Sequence, residues 1–428
     1  MQTKIPTPIE KSQSKSMKVL HIAGGVLSGG AARGTYWLHQ GLLNLGIESR
    51  MIIQKTSGSD PFVEPVVKNI RGTVLRLFRV FLDMLPVLLY RKRKDVFFST
   101  GMSGFDIRKT AVYKEADIIH LHWINNGMIN IKLLKKIDKH IVWTMRDMWP
   151  FTGGCHIAMD CKSYEICCGR CPHLNSKNRY DLSWYVLKRK KRYFPKNMKI
   201  VAMSQWQAEC ARSSDVFREF DIRVIQNNIN TEDFFIVDSN VARSMLGLPR
   251  ERKIVLVSAL ASEEMKHQGF NKLQDACCYL EKDYLFVFFG RIDRGLLNSM
   301  NMEYETLGYL NDNISLRLAY SAADVFLAPY IQTAFGKTLA EAMACGTPVV
   351  AFDATGPRDI VDHKINGYLA KPFEPEDLAN GIKWVLEDEP RRKVLAQRAR
   401  EKAEQEFASE KAAGRYVQLY DEILARNH

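Results

Sequence analysis

The stretch Thr333-Ala334-Phe335-Gly336-Lys337-Thr338 runs into Leu339-Ala340-Glu341-Ala342-Met343-Ala344-Cys345 and stops at Gly346-Thr347-Pro348. It follows the apolar run Ala323 to Pro329, which reads as a buried strand ending in a turn. The small residues after Phe335-Gly336 predict a closely packed helix. Its amino end, set at the carboxyl end of a parallel strand, would offer free backbone N–H groups and a positive dipole to a phosphate. Glu341, about one turn further in, is within reach of a ribose hydroxyl. Together these residues predict a nucleotide site. Gly336-Lys337-Thr338 is not a P-loop, because Ile331 stands where the upstream glycine would be.

Three other places carry residue types that do chemistry. Gly24-Gly25 and Gly29-Gly30-Ala31-Ala32-Arg33 follow the first apolar run, and glycines let a backbone approach an anion closely. The strict dinucleotide fingerprint is not met, and a plain strand-to-helix turn reads equally well. Asp117-Ile118-Ile119-His120-Leu121-His122-Trp123 ends a strand on which His120 and His122 share one face by the two-residue period. They read either as a structural pair or as a site histidine at a cleft, with Trp123 stacking on a ring. Arg146-Asp147 ends a further strand; Arg146 would face a phosphate or pair with Asp147.

Five of the nine cysteines lie between Cys155 and Cys171, and Cys155, Cys161, Cys168 and Cys171 give C-x5-C-x6-C-x2-C. Gly169 inside the last pair permits the knuckle in which two thiolates bind one metal. A closed structural zinc site is the expectation, with reduced thiols, a disulfide pair and an iron–sulfur cluster as alternatives. Cys210, Cys277, Cys278 and Cys345 lie in helical patterns and read as core.

Strands and helices that alternate in a βαβ rhythm must hold these residues. Strands are predicted at Val19–Ala23, Ser49–Gln54, Ile118–His122, Ile141–Met145, Ile200–Ser204 and Arg223–Gln226. The rhythm repeats at Ile254–Ser258, Leu285–Phe289, Val325–Ala328 and Val349–Phe352. Such a chain of 428 residues predicts an α/β protein of two doubly wound, Rossmann-like parallel sheets facing each other across a cleft. The predicted layout is a polar tail over 1–16, a first domain over 17–230 with a Cys-rich insertion at 150–175, a second over 231–400, and terminal helices over 401–428. Asn230 to Pro249 is polar and reads as the hinge. Nothing at the start resembles a signal peptide and no run of 18 uncharged apolar residues occurs, so a cytoplasmic protein with reduced thiols is expected.

From Ile254 to Leu386 above all, the chain resembles glycosyltransferase family 4, retaining enzymes of the GT-B fold. The carrying residues are Phe335-Gly336 and Glu341-Ala342-Met343-Ala344-Cys345-Gly346-Thr347-Pro348-Val349-Val350. The family pattern places two glutamates eight positions apart; Glu341 matches the second, the ribose ligand, and Thr333 stands in place of the first, which contacts the donor sugar. The resemblance implies a nucleotide-sugar donor, with Gly29, Gly30, Ala31 and Arg33 facing its diphosphate and the acceptor, and His122 on the transferred sugar. The family's diphosphate arginine is missing from Ser258-Ala259-Leu260, whereas Lys266 is retained to stabilise the leaving phosphate. Arg291, Arg33 or a backbone amide would replace the arginine. Arg291 and Tyr309 belong to loops that border the base pocket, and Thr333, Phe335, Gly336, Lys337 and Thr338 complete the donor site. No metal is implied for the chemistry, since lysine and helix dipole take its place. The Cys-bearing insertion resembles one in a subgroup linked to exopolysaccharide synthesis.

The net charge of +13 is uneven: residues 1–200 hold 34 Lys and Arg against 14 Asp and Glu, the rest 27 against 34. Val74 to Tyr90 is apolar apart from Arg76, Arg79, Asp83 and Pro86, and is followed by Arg91-Lys92-Arg93-Lys94; a second basic run is Lys188 to Arg192. Basic residues beside an apolar helix suit an anionic leaflet, and an ordinary buried helix with a solvated tail is the alternative. No nucleic-acid reader accompanies the charge. The expected protein is a peripheral enzyme on the inner membrane surface, passing sugar to a glycan or polyprenyl-diphosphate-linked acceptor. A sugar-nucleotide epimerase or hydrolase and a degenerate non-catalytic binder are the rivals.

Overall fold

The computed structural model describes residues 17–27, 29–55, 58, 60–94, 97–261 and 268–425. Each apolar run pairs in parallel with its neighbours, and two sheets result. The first holds β1 (Lys18–Val26), β2 (Glu48–Lys55), β3 (Val63–Pro65), β4 (Ile118–Leu121), β5 (His140–Thr144), β6 (Lys199–Ala202) and β7 (Ile222–Val224), in the order β3-β2-β1-β4-β5-β6-β7. The second holds β8 (Lys253–Ala261), β9 (Tyr284–Ile292), β10 (Tyr304–Thr306), β11 (Val325–Ala328), β12 (Val349–Phe352) and β13 (Gly367–Ala370), in the order β10-β9-β8-β11-β12-β13. Both orders reverse beside their first strand, and ligands of such sheets bind at that switch point, beyond the strands' carboxyl ends. In the first lobe the point lies between β1 and β4, where His21 is in register with His120. In the second it lies between β8 and β11, where Val257 is in register with Leu327.

The central strands are buried on both faces, as helices on both sides of a parallel sheet require. Trp37, on the helix Gly30–Asn44, leaves its own lobe's core and packs edge-on against Phe234, 6.0 Å away, in the core of the second. The chain crosses between lobes at Ile229 and again at Ala408, and the two crossings bond to each other through Ile229 N–H and the Phe407 carbonyl, 2.8 Å apart. The final helix, Ser409–Ala425, lies against Gly30–Asn44; Tyr416 and Tyr420 reach Thr144 and His120 at 2.7 Å. The expected hinge contains an eight-residue helix, Ser239–Leu246, capped by Asp238 and closed by Gly247 at φ +70°.

The helix Ile70–Leu88 is turned inside out. Asp83 is buried and accepts from Thr100 Oγ1 and the Met102 amide, while Val74, Leu75, Leu77, Phe78, Phe81, Leu85 and Leu88 are exposed. Arg76, Arg79 and Asp83, three and four residues apart and so on one side of the helix, therefore form the face that meets the protein. Among the described residues no helix is long and apolar enough to cross a membrane.

Candidate active site

The first lobe supplies a cationic floor. Arg146, two residues beyond β5, is ringed by groups from the carboxyl ends of the sheet. Its guanidinium donates to Asn227 Oδ1 at 2.5 Å, to His122 Nδ1 at 3.1 Å and to Thr35 Oγ1 at 3.4 Å. None of these is a carboxylate, and its Nε is buried without a partner. Of the two roles open from the sequence, pairing with Asp147 is ruled out: Asp147 accepts from His156 Nδ1 at 2.6 Å and from the Trp123 indole at 3.0 Å. Burial pushes the Arg146 pKa down to about 10, the signature of a charge without its counter-ion.

His122 continues this chain. A guanidinium only donates, so His122 Nδ1 accepts, its Nε2 carries the proton, and that proton is given to His21 Nδ1 at 3.0 Å. The His21 proton then sits on Nε2, which is buried without a partner. His120 spends both nitrogens on Tyr420 and Thr144. The pKa values of His21, His120 and His122 lie well below the usual imidazole range, through burial first and then through each other and Arg146. The three rings bring nitrogens within 4.8 Å of one another, but with His120 spent and Arg146 beside them the trio is a neutral relay rather than a cation site. The sugar contact expected of His122 thus needs correction: its ring is buried with both nitrogens engaged, so reaching a sugar would cost it one of these bonds. Trp123 stacks on Phe97 at 6.0 Å.

The glycine loop after β1 leads into Gly30–Asn44 through Gly29, an N-cap with no side-chain acceptor, and no acid occupies the first turn. The amides of Gly30 and Ala31 thus begin a helix whose positive end is uncapped. Arg33 reaches across to the Asn311 carbonyl at 2.7 Å.

The second lobe presents the predicted helix, Lys337–Ala344, with Gly336 as N-cap at φ +104°, a conformation that costs a side chain dearly. No side chain caps it. Thr338 Oγ1 joins Tyr330 Oη at 2.9 Å, and Tyr330 joins Ser258 Oγ at 2.5 Å. Glu341 is 1% exposed; one oxygen accepts from Tyr320 Oη at 2.9 Å and the other from Lys337 Nζ at 2.5 Å. Lys337 lies 5.1 Å from the Trp37 ring centroid, and burial holds its pKa below the usual lysine range despite Glu341. The ribose contact expected of Glu341 therefore requires Lys337 to move. Phe335 also needs correction: its ring is buried 5.6 Å from Phe407, which leaves only its backbone to face a ligand. Thr333 binds through backbone groups to Thr355 Oγ1 and the Gly356 amide. Arg291, near the end of β9, lies 5.1 Å over the exposed ring of Tyr309. Lys266 lies outside the described residues.

The lobes also touch through residues that no local pattern marks. Ser204 Oγ donates to the Ala334 carbonyl at 2.7 Å, the Gln205 amide binds Asp359, and the Met159 amide donates to Gln332 Oε1 at 2.7 Å. Met159 belongs to the Cys-rich insertion, which thereby reaches the residue before Thr333. Partners so distant in sequence carry no local signal; Asn227 and Thr35 escaped notice for the same reason.

Cys155, Cys161, Cys168 and Cys171 line one small cavity with His173. A preformed zinc site is not what they make. A bound tetrahedral centre puts sulfurs ~3.8 Å apart, whereas no three of these sulfurs lie within 4.8 Å of one another.

Residues 28–233 match the family described as Glycosyltransferase Family 4, and residues 242–402 that described as Glycosyl transferases group 1. Among curated relatives, the putative colanic acid biosynthesis glycosyl transferase WcaC of Escherichia coli K12 is 23% identical over 81% of this chain and 85% of its own. The N,N'-diacetylbacillosaminyl-diphospho-undecaprenol alpha-1,3-N-acetylgalactosaminyltransferase of Campylobacter jejuni is 30% identical over 41% of this chain and 46% of its own. The crystal structure of Anabaena HepE in complex with UDP and glucose superposes with a TM-score of 0.64 at 17% identity, covering 95% of this chain and 99% of that one. With two Rossmann-like sheets facing each other and both halves matched, the chain belongs to glycosyltransferase family 4 and is a glycosyltransferase of the GT-B fold.

Proposed function

We propose that this enzyme is a retaining transferase that moves a sugar from a nucleotide-sugar donor to a lipid-linked glycan during cell-surface polysaccharide synthesis. The observation that carries the reading is Arg146, a guanidinium without a carboxylate that lies beyond β5 and bonds to His122 beside the switch point of the first lobe. A charge so placed is stabilised by an anion that arrives, and a donor diphosphate is such an anion. The uncapped helix start at Gly336 offers amides to the same phosphates. Lys266, by its place in the sequence, neutralises the leaving phosphate; Glu341 takes the ribose once Lys337 swings away; Arg291 and Tyr309 flank the base. Gly29 to Arg33 belong to the sugar and acceptor side, and His122 lies behind them, holding Arg146 in place.

For retention, the acceptor hydroxyl attacks the anomeric carbon on the side from which the nucleotide leaves, and a donor phosphate oxygen takes its proton. No glycosidase pair of carboxylates is then needed. The Campylobacter relative is named for a diphospho-undecaprenol substrate and WcaC for colanic acid, which supports a lipid-linked acceptor of the exopolysaccharide type. HepE was crystallised with UDP and glucose, a precedent for the donor class. The outward-facing apolar residues of Ile70–Leu88, followed by Arg91 to Lys94, suit peripheral attachment to an anionic leaflet.

The test is a thermal-shift and calorimetric panel of UDP-, GDP-, ADP- and dTDP-sugars, followed by transfer to a polyprenyl-diphosphate glycan. A true donor raises Tm by mass action, and its anomeric configuration survives in the product. Absence of binding across the panel refutes the reading, and an inverted product refutes the retaining step.

A further inference from the structure

The cysteine insertion is built more tightly than a surface loop needs to be. Cys155 pairs with Phe98 in an antiparallel bridge, the Cys171 amide donates to Asp181 Oδ2 at 2.8 Å, and Asp181 caps the helix Leu182–Tyr193. Gly153 lies so close to Cys168 that an added Cβ would stand 2.9 Å from its sulfur. Cys155, Cys168 and Cys171 are buried and Cys161 is half-buried, and all four bound the same cavity of about 10 Å³, room for one body of water size or smaller.

Three further features point to what belongs there. Burial raises the pKa values of Cys168 and Cys171 and keeps them as thiols in the metal-free protein, while the backbone amides of Gly153 at Cys168 and of His173 and Leu174 at Cys171 work against that shift and are placed to support a sulfur that gives up its proton to a metal. His173 also lines the cavity, and its Nδ1 is buried without a partner while Nε2 is spent on the Ala158 carbonyl. Lys190 is fully buried, its ammonium hydrogen-bonded only to the carbonyls of Trp149 and Thr152 and set over the Trp149 ring, within electrostatic reach of Cys155 and Cys168 first and of Asp147 and Asp83 after them. A buried ammonium that hydrogen-bonds to no carboxylate is stabilised by a further negative partner close by. Four thiolates around a divalent ion carry a net charge of −2, and the lysine offsets part of it.

We propose that Cys155, Cys161, Cys168 and Cys171 hold a thiophilic metal centre, drawing inward on the cavity as the metal binds, with Lys190 as its buried counter-charge. Binding releases the thiol protons and leaves a closed structural centre with no open position. Its role is to fix the insertion whose Met159 amide reaches Gln332, beside the signature segment. That role rests on the proposed donor site; the metal itself does not.

The experiment is elemental analysis of the full chain purified anaerobically with thiol reductant and without chelators, with Cys171→Ser and Cys278→Ser alongside; Cys278 is exposed and outside the cavity. About one zinc per chain is expected in the parent and in C278S, with loss in C171S. Iron with matching acid-labile sulfide and visible absorption would establish the same four-thiolate centre in its cluster form. In case C171S fails to fold, the parent is reconstituted with Co²⁺ after mild chelation, and thiolate-to-cobalt charge-transfer bands should develop to one equivalent. Zinc and iron far below stoichiometry together with no Co²⁺ bands would overturn the proposal. If the metal is present but its removal leaves the KM for the donor unchanged, the centre stands and the link to the donor site falls.

Discussion

Replacing Arg146 by glutamine removes a charge while keeping an amide that can donate to Asn227 or His122. Burial lowers the arginine's pKa from 12.5 to about 10; at 1.36 kcal/mol per unit this amounts to roughly 3 kcal/mol of strain in the ligand-free protein. Arg146 also makes hydrogen bonds of which glutamine recovers only part, a loss of about 1 kcal/mol. Arg146→Gln should therefore be more stable than the parent by roughly 2 kcal/mol, which is about 2 °C in Tm when all 428 residues melt as one unit. Its affinity for the donor should fall about 10- to 100-fold, the value of a charge-assisted contact to phosphate. Scanning calorimetry without ligand and titration calorimetry with the donor report the two effects separately. A variant that melts below the parent, or that binds nucleotide sugar undiminished, would show that Arg146 is a structural arginine and not one held in wait for an anion.

His39 is buried with Ser49 as its one partner, and burial lowers its pKa to about 4. The unfolded chain takes up this proton below pH 6.5 and the folded chain does not, so stability falls as the pH drops from 7 to 4, by about 2 kcal/mol at pH 5 from this residue alone. His21, His120 and His122 act in the same direction. Urea midpoints should decline from pH 8 to 5, less steeply in His39→Leu; a flat profile contradicts the buried neutral histidines. Phe78→Ser with Phe81→Ser should weaken flotation with anionic vesicles and leave turnover of a water-soluble acceptor intact, and removing the charges at 91–94 should cost roughly 1 kcal/mol per residue; binding unaltered by both changes would mean that another surface docks. Thr333→Glu should change donor hydrolysis or transfer measured by nucleotide release, because the family resemblance puts a donor-sugar glutamate at position 333; identical rates would show the position to be immaterial.

Most of the architecture could be read before any coordinates. All ten strands expected from apolar runs form; nine are central parallel strands, which bury both faces and write themselves as hydrophobic stretches, and the tenth, β7, is an edge found from Val224-Ile225. The three that escaped, β3, β10 and β13, are sheet edges of three or four residues. Val63-Glu64-Pro65 has one buried side chain and a proline, and Tyr304-Glu305-Thr306 has none buried, so neither shows a pattern to find. His120 and His122 were visible through strand periodicity, but their link to His21 depends on the register of β1 with β4, which no local sequence states. Arg146 beside Asp147 suggested an ion pair from adjacency alone; the two side chains diverge, and the true partners arrive from 24 to 111 residues away. The polarity of Ile70–Leu88 was legible while its orientation was not, since a periodic stripe tells which residues share a side and not which side meets solvent.

The return of Ser409–Ala425 to the first lobe has a bearing on biosynthesis. The tyrosines that satisfy His120 and Thr144 are made some 300 and 272 positions after the residues they serve. The amino-terminal half must therefore wait, with the apolar side of Leu38 and Leu42 uncovered, until the whole carboxyl-terminal half has emerged. A contact this remote is slow to close. Cutting the gene at the apparent domain boundary would yield an incomplete first half that seeks other apolar company, so expression trials should treat the two halves as a single folding unit.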